Sequence, residues 1–152
     1  MADDQPLPEN AKVIVSVERW RSEGERLRQL NGALGVFLKS DQSPLLIADD
    51  LHRLSLVALE FPKFTDGRAF SYARILRDRL GYKGEIRAVG QVLRDQYVFM
   101  LRCGIDTIEP PVEKRVEGYA EALREFSVFY QPTGDERATA LQLRHQRKAV
   151  AA

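Results

Sequence analysis

Apolar positions along this chain fall alternately into short continuous runs and into helical stripes. Lys12-Val13-Ile14-Val15-Ser16-Val17 reads as a short strand or as an extended arm laid on a partner surface. Glu18 to Asn31 is rich in helix formers, with Trp20, Leu27 and Leu30 as its apolar members and Gly32 and Gly35 available to end it. Leu34-Gly35-Val36-Phe37-Leu38 is the next strand, after which Pro44 suits the first position of a helix over Leu45 to Leu51. Leu56 to Phe61 opens with four apolar residues in succession, as a strand buried on both faces requires. Ala69, Tyr72, Ala73, Leu76 and Leu80 then recur at helical spacing and predict a helix from Gly67 to Leu80, closed by Gly81. Glu85 to Val89 is a further strand and Gly90 a tight turn. The helix that follows, from about Val92 to Arg102, carries Leu93, Tyr97, Met100 and Leu101 on one side and stops at Gly104. Ile105 to Glu109 is a last short strand, ended by Pro110-Pro111, and Glu113 to Phe126 is a further helix.

Strands alternating with helices of about three turns call for parallel crossovers, so the expected fold is α/β. It is a single compact domain of successive βα units with a mostly parallel sheet of four to five strands. Periodicity does not separate a small doubly wound sheet from half of a (β/α) barrel. The compact doubly wound form is the reading adopted, with the half-barrel as its variant, whose unpaired strand edges would favour a homodimer. Residues 1–11 read as a flexible leader, 12–134 as the domain and 135–152 as a helical or frayed tail. That tail scatters Arg137, Arg144, His145, Arg147 and Lys148 without apolar periodicity, which suits a solvated helix more simply than a partner-binding one.

Composition narrows the function classes. The 23 basic and 22 acidic side chains leave a net charge of +1, which argues against a dedicated nucleic-acid binder. A single cysteine excludes a disulfide framework within the chain and fits a reducing compartment. The first ten residues are acidic and contain proline, unlike a secretory leader, and no apolar run approaches the ~20 residues of a membrane helix. The expectation is a cytoplasmic protein that binds neither membrane nor nucleic acid. Cys103 lies beside Gly104 at a helix end, where the dipole disfavours a thiolate, and reads as an inert buried thiol. His52 and His145 are too far apart to suggest a metal pair. With no CxxC, Gly-rich dinucleotide fingerprint or Walker sequence, no metal and no cofactor are read.

The stretch Phe61-Pro62-Lys63-Phe64-Thr65-Asp66-Gly67-Arg68 is a strand-to-helix turn. Thr65 and Asp66 are natural N-caps, and Lys63 and Arg68 flank the same free backbone N–H groups, which together suit an anion. Ligands of open parallel sheets sit beyond the carboxyl ends of the strands. That edge would gather Lys39 and Asp41, then Lys63, Thr65, Asp66, Gly67 and Arg68, then Gln91, Arg94, Asp95 and Gln96, and Glu109. A small oxyanion, a phosphate or a partner's carboxylate would suit this rim. The plainer structural reading makes Asp66 a cap only and leaves Arg68, Arg74 and Arg77 solvated or paired with Asp78 and Glu85. Arg94 and Asp95 are adjacent and cannot face each other on a helix, so each must look elsewhere for a partner.

Leu59 to Arg68, Gly81 to Gly90, Leu93-Arg94-Asp95-Gln96 and Arg102-Cys103-Gly104 together resemble a bacterial family of unknown function whose members are called oxidoreductases of sulfite reduction. The resemblance spans roughly residues 12–110. Members tend to be encoded beside sulfite reductase and other sulfate-assimilation genes, so it implies a pathway more than a reaction. It singles out Lys63, Asp66, Gly67, Arg68, Arg94, Asp95 and Gln96, all on the rim reached from topology. Gln91 stands where the family has an aspartate, which counts against acid–base work there. The implied function is an accessory protein of assimilatory sulfate or sulfite reduction that docks on sulfite reductase or its electron donor. The alternative is an enzyme or binding domain with an oxyanion or phosphate site at the helix after Asp66, using Asp66, Asp95 or Glu109 as acid or base. No catalytic residue is assigned.

Overall fold

The computed structural model describes residue 7 and residues 12–30, 32–109 and 117–150. Five strands, β1 (Val13–Ser16), β2 (Leu34–Leu38), β3 (Leu56–Phe61), β4 (Glu85–Gly90) and β5 (Thr107–Glu109), form one sheet in the order β1-β2-β3-β4-β5, with every neighbouring pair parallel. Between and after them run helices α1 (Val17–Arg28), α2 (Arg68–Arg74), α3 (Arg94–Arg102), α4 (Glu117–Glu125) and α5 (Ala140–Val150). The expected single α/β domain is the one observed.

The strand order settles what periodicity left open. A doubly wound sheet reverses its order at a switch point, and this sheet never does, so its order is that of a half-barrel rather than of the doubly wound form. Strands added in chain order through right-handed crossovers send every crossover to the same face. Val15, Val36, Val57 and Ile86 lie in register on one face and are each no more than 2% exposed. Leu38, Leu59 and Ala88 form the next row of that face and are fully buried. On the other face the row Phe37, Ala58, Arg87 and Thr107 is mixed. There Arg87 pairs with Glu85 at 2.8 Å, and Glu85 also accepts the Thr107 hydroxyl at 2.6 Å.

Several local expectations need correction. Of the two forms expected for residues 12–17, Val13–Ser16 takes the strand, with the Val13 N–H donating to the Ala33 carbonyl. The Ser16 side chain caps α1, which begins at Val17 rather than Glu18, by accepting the Arg19 N–H at 3.1 Å. Pro44–Arg53 is a 3₁₀ segment instead of an α-helix, started by Ser43 accepting the Leu45 N–H. The long helix after Gly67 is α-helical only to Arg74 and widens into a π turn over Ile75–Arg79. The helix expected from Glu113 begins at Glu117 among the described residues, residues 110–116 lying outside them. The leader 1–11, apart from Leu7, also lies outside them.

Arg77, on the π turn, is neither solvated nor paired with Asp78 or Glu85. It donates to the carbonyls of Gly104, Tyr82 and Gly84 at 2.9, 2.7 and 2.8 Å and pairs with Asp106 at 2.5 Å. One side chain thus ties the loop before β4 to the turn before β5. Arg74 does pair with Asp78, at 2.5 Å. Near the C-terminus, Arg102 pairs with Asp135 at 2.8 Å with both side chains largely buried, so Asp135 is anchored to α3. Cys103 is 4% exposed. Burial is the main force pushing its thiol up, and the charges of Arg74 and Arg102 only partly oppose it. No helix among the described residues is long and apolar enough to cross a membrane.

Candidate functional site

The rim at the carboxyl ends of β2, β3 and β4 is built around Ser40, which is 7% exposed. Its backbone N–H donates to Glu60 Oε2 at 3.1 Å, its hydroxyl accepts Arg68 Nη2 at 3.0 Å and its carbonyl accepts the Tyr72 hydroxyl at 3.2 Å. The loop after β2 is therefore locked to the start of α2. Lys39 and Gln42 close the same loop onto α1, because both donate to Glu18 Oε1, at 3.3 and 2.9 Å. Asp41 is exposed beside them.

Asp66 and Arg68 make a local clamp. Arg68 Nε and Nη2 reach the two carboxylate oxygens of Asp66 at 3.0 and 2.6 Å, and the Arg68 backbone N–H donates to the same carboxylate at 3.2 Å. Gly67, not Asp66 or Thr65, occupies the N-cap position of α2, and Asp66 acts from just before it. Hydrogen bonds from the Arg68 side chain, then from its backbone, hold the Asp66 carboxyl far below the usual carboxylate range. Asp66 is thus a fixed carboxylate at neutral pH. It has no proton to give and both its oxygens are engaged, so it suits neither general acid nor general base.

The remaining predicted residues divide. Gln96 joins the cluster from α3, its amide donating to the Phe64 carbonyl at 3.0 Å. Gln91 is exposed, but its backbone N–H donates to the Phe61 carbonyl at 2.7 Å, which keeps the turn after β4 against the end of β3. Arg94 turns away from the rim, donating to the Gly118 carbonyl at 2.7 Å and pairing with Glu125 of α4. Asp95, in the first turn of α3, and Glu109, at the end of β5, are both exposed, and among the described residues no hydrogen bond or ion pair joins either to Asp66, Arg68 or Ser40. Lys63, Thr65 and Gly67 are exposed; the Lys63 carbonyl accepts the Asp66 N–H at 3.0 Å, and its ammonium has no hydrogen-bond or ion-pair partner among the described residues.

Sequence reasoning missed the feature at the centre of this edge. Phe64 is 60% exposed, between Lys63 and Thr65, on a loop pinned by Gln96 on one side and by the Asp66–Arg68–Ser40 cluster on the other. Phe99, 46% exposed, lies three residues beyond Gln96 on α3, and its ring packs at 4.8 Å on Phe70, which in turn meets Phe61 edge-on at 5.1 Å. The rim is a surface of exposed aromatics and cations over a rigid base. The one available signal was a phenylalanine inside an otherwise polar loop. Two clefts among the described residues lie elsewhere. One of about 600 Å³ separates α1 from the 3₁₀ segment near Trp20, Arg28 and Asp50, and one of about 440 Å³ opens at the opposite strand ends near Gly35, Leu56 and Arg87. No group of three or more metal-ligating side chains occurs among the described residues.

The model of a family described as a bacterial protein of unknown function, DUF934, matches residues 35–141, from β2 into the start of α5. No curated protein matches the chain.

Proposed function

The chain belongs to the bacterial family of unknown function DUF934, and we propose that it is a docking component of assimilatory sulfite reduction that binds sulfite reductase or its electron donor through the rim around Lys63, Phe64 and Arg68. The observation that carries the docking part is Phe64, a large aromatic held out in solvent by a loop fixed on both sides. Interfaces concentrate their binding energy in such anchors, because a preset ring buries apolar area at small entropic cost. Lys63 beside it supplies an unpaired cation for orientation. The assignment to sulfite reduction is supported by the resemblance of Leu59–Arg68 and Gly81–Gly90 to the family encoded beside those genes. The oxyanion reading is weakened, since the charge of Arg68 is already met by Asp66 and Asp66 is removed as its acid.

Growth of a deletion strain on sulfate, sulfite or sulfide as sole sulfur source tests the pathway. Rescue by sulfide but not sulfite is the expected outcome. Co-purification with sulfite reductase tests the docking, and Phe64→Ala or Lys63→Glu is expected to abolish it while leaving the melting temperature unchanged, as both side chains are exposed. Normal growth on all three sources without any association refutes the proposal.

A further inference from the structure

We propose that two copies of this chain pack their open sheet faces against each other across a twofold axis. Side chains alternate along a strand, so the face that carries the row Phe37, Ala58, Arg87 and Thr107 also carries Ile14, Gly35, Leu56 and Glu85 on one side of it and Glu60, Val89 and Glu109 on the other. None of its apolar side chains, Ile14, Phe37, Leu56, Ala58 or Val89, belongs to the buried cluster that joins α1, α2 and α3 to the opposite face. Ile14, Phe37 and Val89 stay only half-buried, and the cleft of about 440 Å³ opens here beside Gly35. All-parallel sheets are found with both faces covered. Among the described residues, this sheet has a helical layer on one.

The face supplies its own complement in shape. Its five strands span about 19 Å and the six residues of β3 or β4 about 20 Å, so a copy turned through about 90° covers it fully, as orthogonally packed sheets do. Charge fixes which way the copy turns. Lys12, just before β1, and Glu109, at the end of β5, lie at opposite corners of the face, both exposed. Neither side chain has a hydrogen-bond or ion-pair partner among the described residues. A twofold axis along the other diagonal brings Lys12 of each copy to Glu109 of the other, so both corner charges are met twice. The same exchange sets Val89 of one copy over the cleft at Gly35 of the other, where the face has no side chain of its own.

The remaining charges of the face are already met. Glu85 accepts Arg87 Nε at 3.0 Å, Arg87 Nη2 at 2.8 Å and the Thr107 hydroxyl at 2.6 Å, and Glu60 accepts the Ser40 N–H at 3.1 Å. Glu85 lies nearest the axis and meets its own mate only as part of that neutral group. Covering the face therefore strands no lone charge. Residues 1–11 do not suit it as a cover, since Leu7, the described member of that stretch, packs against the buried cluster instead.

Sedimentation of the full chain tests this, with a particle of twice the 17.3 kDa chain mass as the expected result. Phe64→Ala should leave that mass unchanged, which separates the sheet face from the rim. Lys12→Cys/Glu109→Cys should form a disulfide-linked dimer on oxidation, and neither single variant should. Within one chain these positions are about 19 Å or more apart, far beyond disulfide reach, and the native Cys103 is buried. Lys12→Glu and Glu109→Lys should each weaken the dimer about tenfold, and mixing the two variants should restore it, because the mixed pair regains opposite charges at both corners. A particle that stays at 17.3 kDa through the micromolar range overturns the proposal and gives the face to residues 1–11 or to a foreign protein. So does a dimer that forms no crosslink between positions 12 and 109, or one that the mixed variants fail to restore.

Discussion

Gly90 and Gly81 both sit at positive φ, +98° and +65°, yet replacing each with alanine should have very different effects. At Gly81 an added Cβ would meet nothing within 4 Å, so only backbone strain acts. That strain is about 1 kcal/mol for an L-residue in the left-handed region, and the reduced freedom of the unfolded chain offsets roughly half of it. At Gly90 the same Cβ would lie 2.6 Å from the Phe61 carbonyl oxygen, its partner across the β3–β4 ladder. That oxygen already accepts the Gln91 N–H at 2.7 Å, so it cannot withdraw without breaking a hydrogen bond. Overpacking against backbone adds about 1–3 kcal/mol to the same net strain, giving roughly 1.5–3.5 kcal/mol for Gly90→Ala against about 0.5 for Gly81→Ala. With a urea m-value of about 2 kcal/mol/M, the midpoints should fall by about 1–2 M and by a few tenths of 1 M. Because Phe61 leads directly into the rim loop, Gly90→Ala should also weaken partner binding, and Gly81→Ala should not. Equal midpoints for the two variants would refute the claim that the ends of β3 and β4 are held in rigid close approach.

Three further outcomes are expected. Arg77→Met removes the donors to the Gly104, Tyr82 and Gly84 carbonyls and the pair with Asp106, and should lower stability by about 2–4 kcal/mol in thermal melts, with little recovery in Arg77→Lys. Burial alone would raise the Asp135 pKa, but hydrogen bonds from Arg102 and Thr133 and the Arg137 N–H outweigh it and keep the carboxyl below its usual value. Its contribution is therefore present above the unfolded value of about 3.9 and is lost as pH falls from there through the folded one, so Asp135→Asn should differ from wild type at pH 7 and approach it near pH 3 in urea titrations. Cys103, whose thiol burial pushes up, should react with a disulfide reagent at pH 8 only as fast as the chain opens, and rapid labelling of the native protein would contradict that.

What could be read from the chain was what local chemistry controls. Leu56–Phe61 was legible because a strand covered on both faces is apolar at every position, and the positive-φ glycines at 81 and 104 end their helices where glycine alone is comfortable. The 3₁₀ form of Pro44–Arg53 was not legible, because the Ser43-Pro44 start signal is common to both kinds of helix and the run is too short for its apolar period to separate them. Strand order escaped, since periodicity describes an element's faces and not its neighbours. The turn from Lys63 to Gly67 lies between β3 and α2 as read, because a strand-to-helix turn positions itself. Arg94 was lost to Glu125, 31 positions away, and Ser40 was never considered, because its role comes from a loop brought in by a different strand pair.

A sheet whose strands lie in chain order has a consequence for how it is made. Paired residues such as Val13 and Leu34, Gly35 and Leu56, Leu56 and Glu85, and Arg87 and Thr107 are only 20 to 29 positions apart. The entropy of closing these loops differs by about 0.3 kcal/mol across that range, so no pairing is much harder than another. A chain emerging from the ribosome can lay each new strand on the edge left by the last, with no strand reserved for a later insertion between two others. Such a sheet can also gain or lose a βα unit at an edge without reordering the rest. The unit made of β1 and α1, which precedes the matched block from residue 35, lies at such an edge.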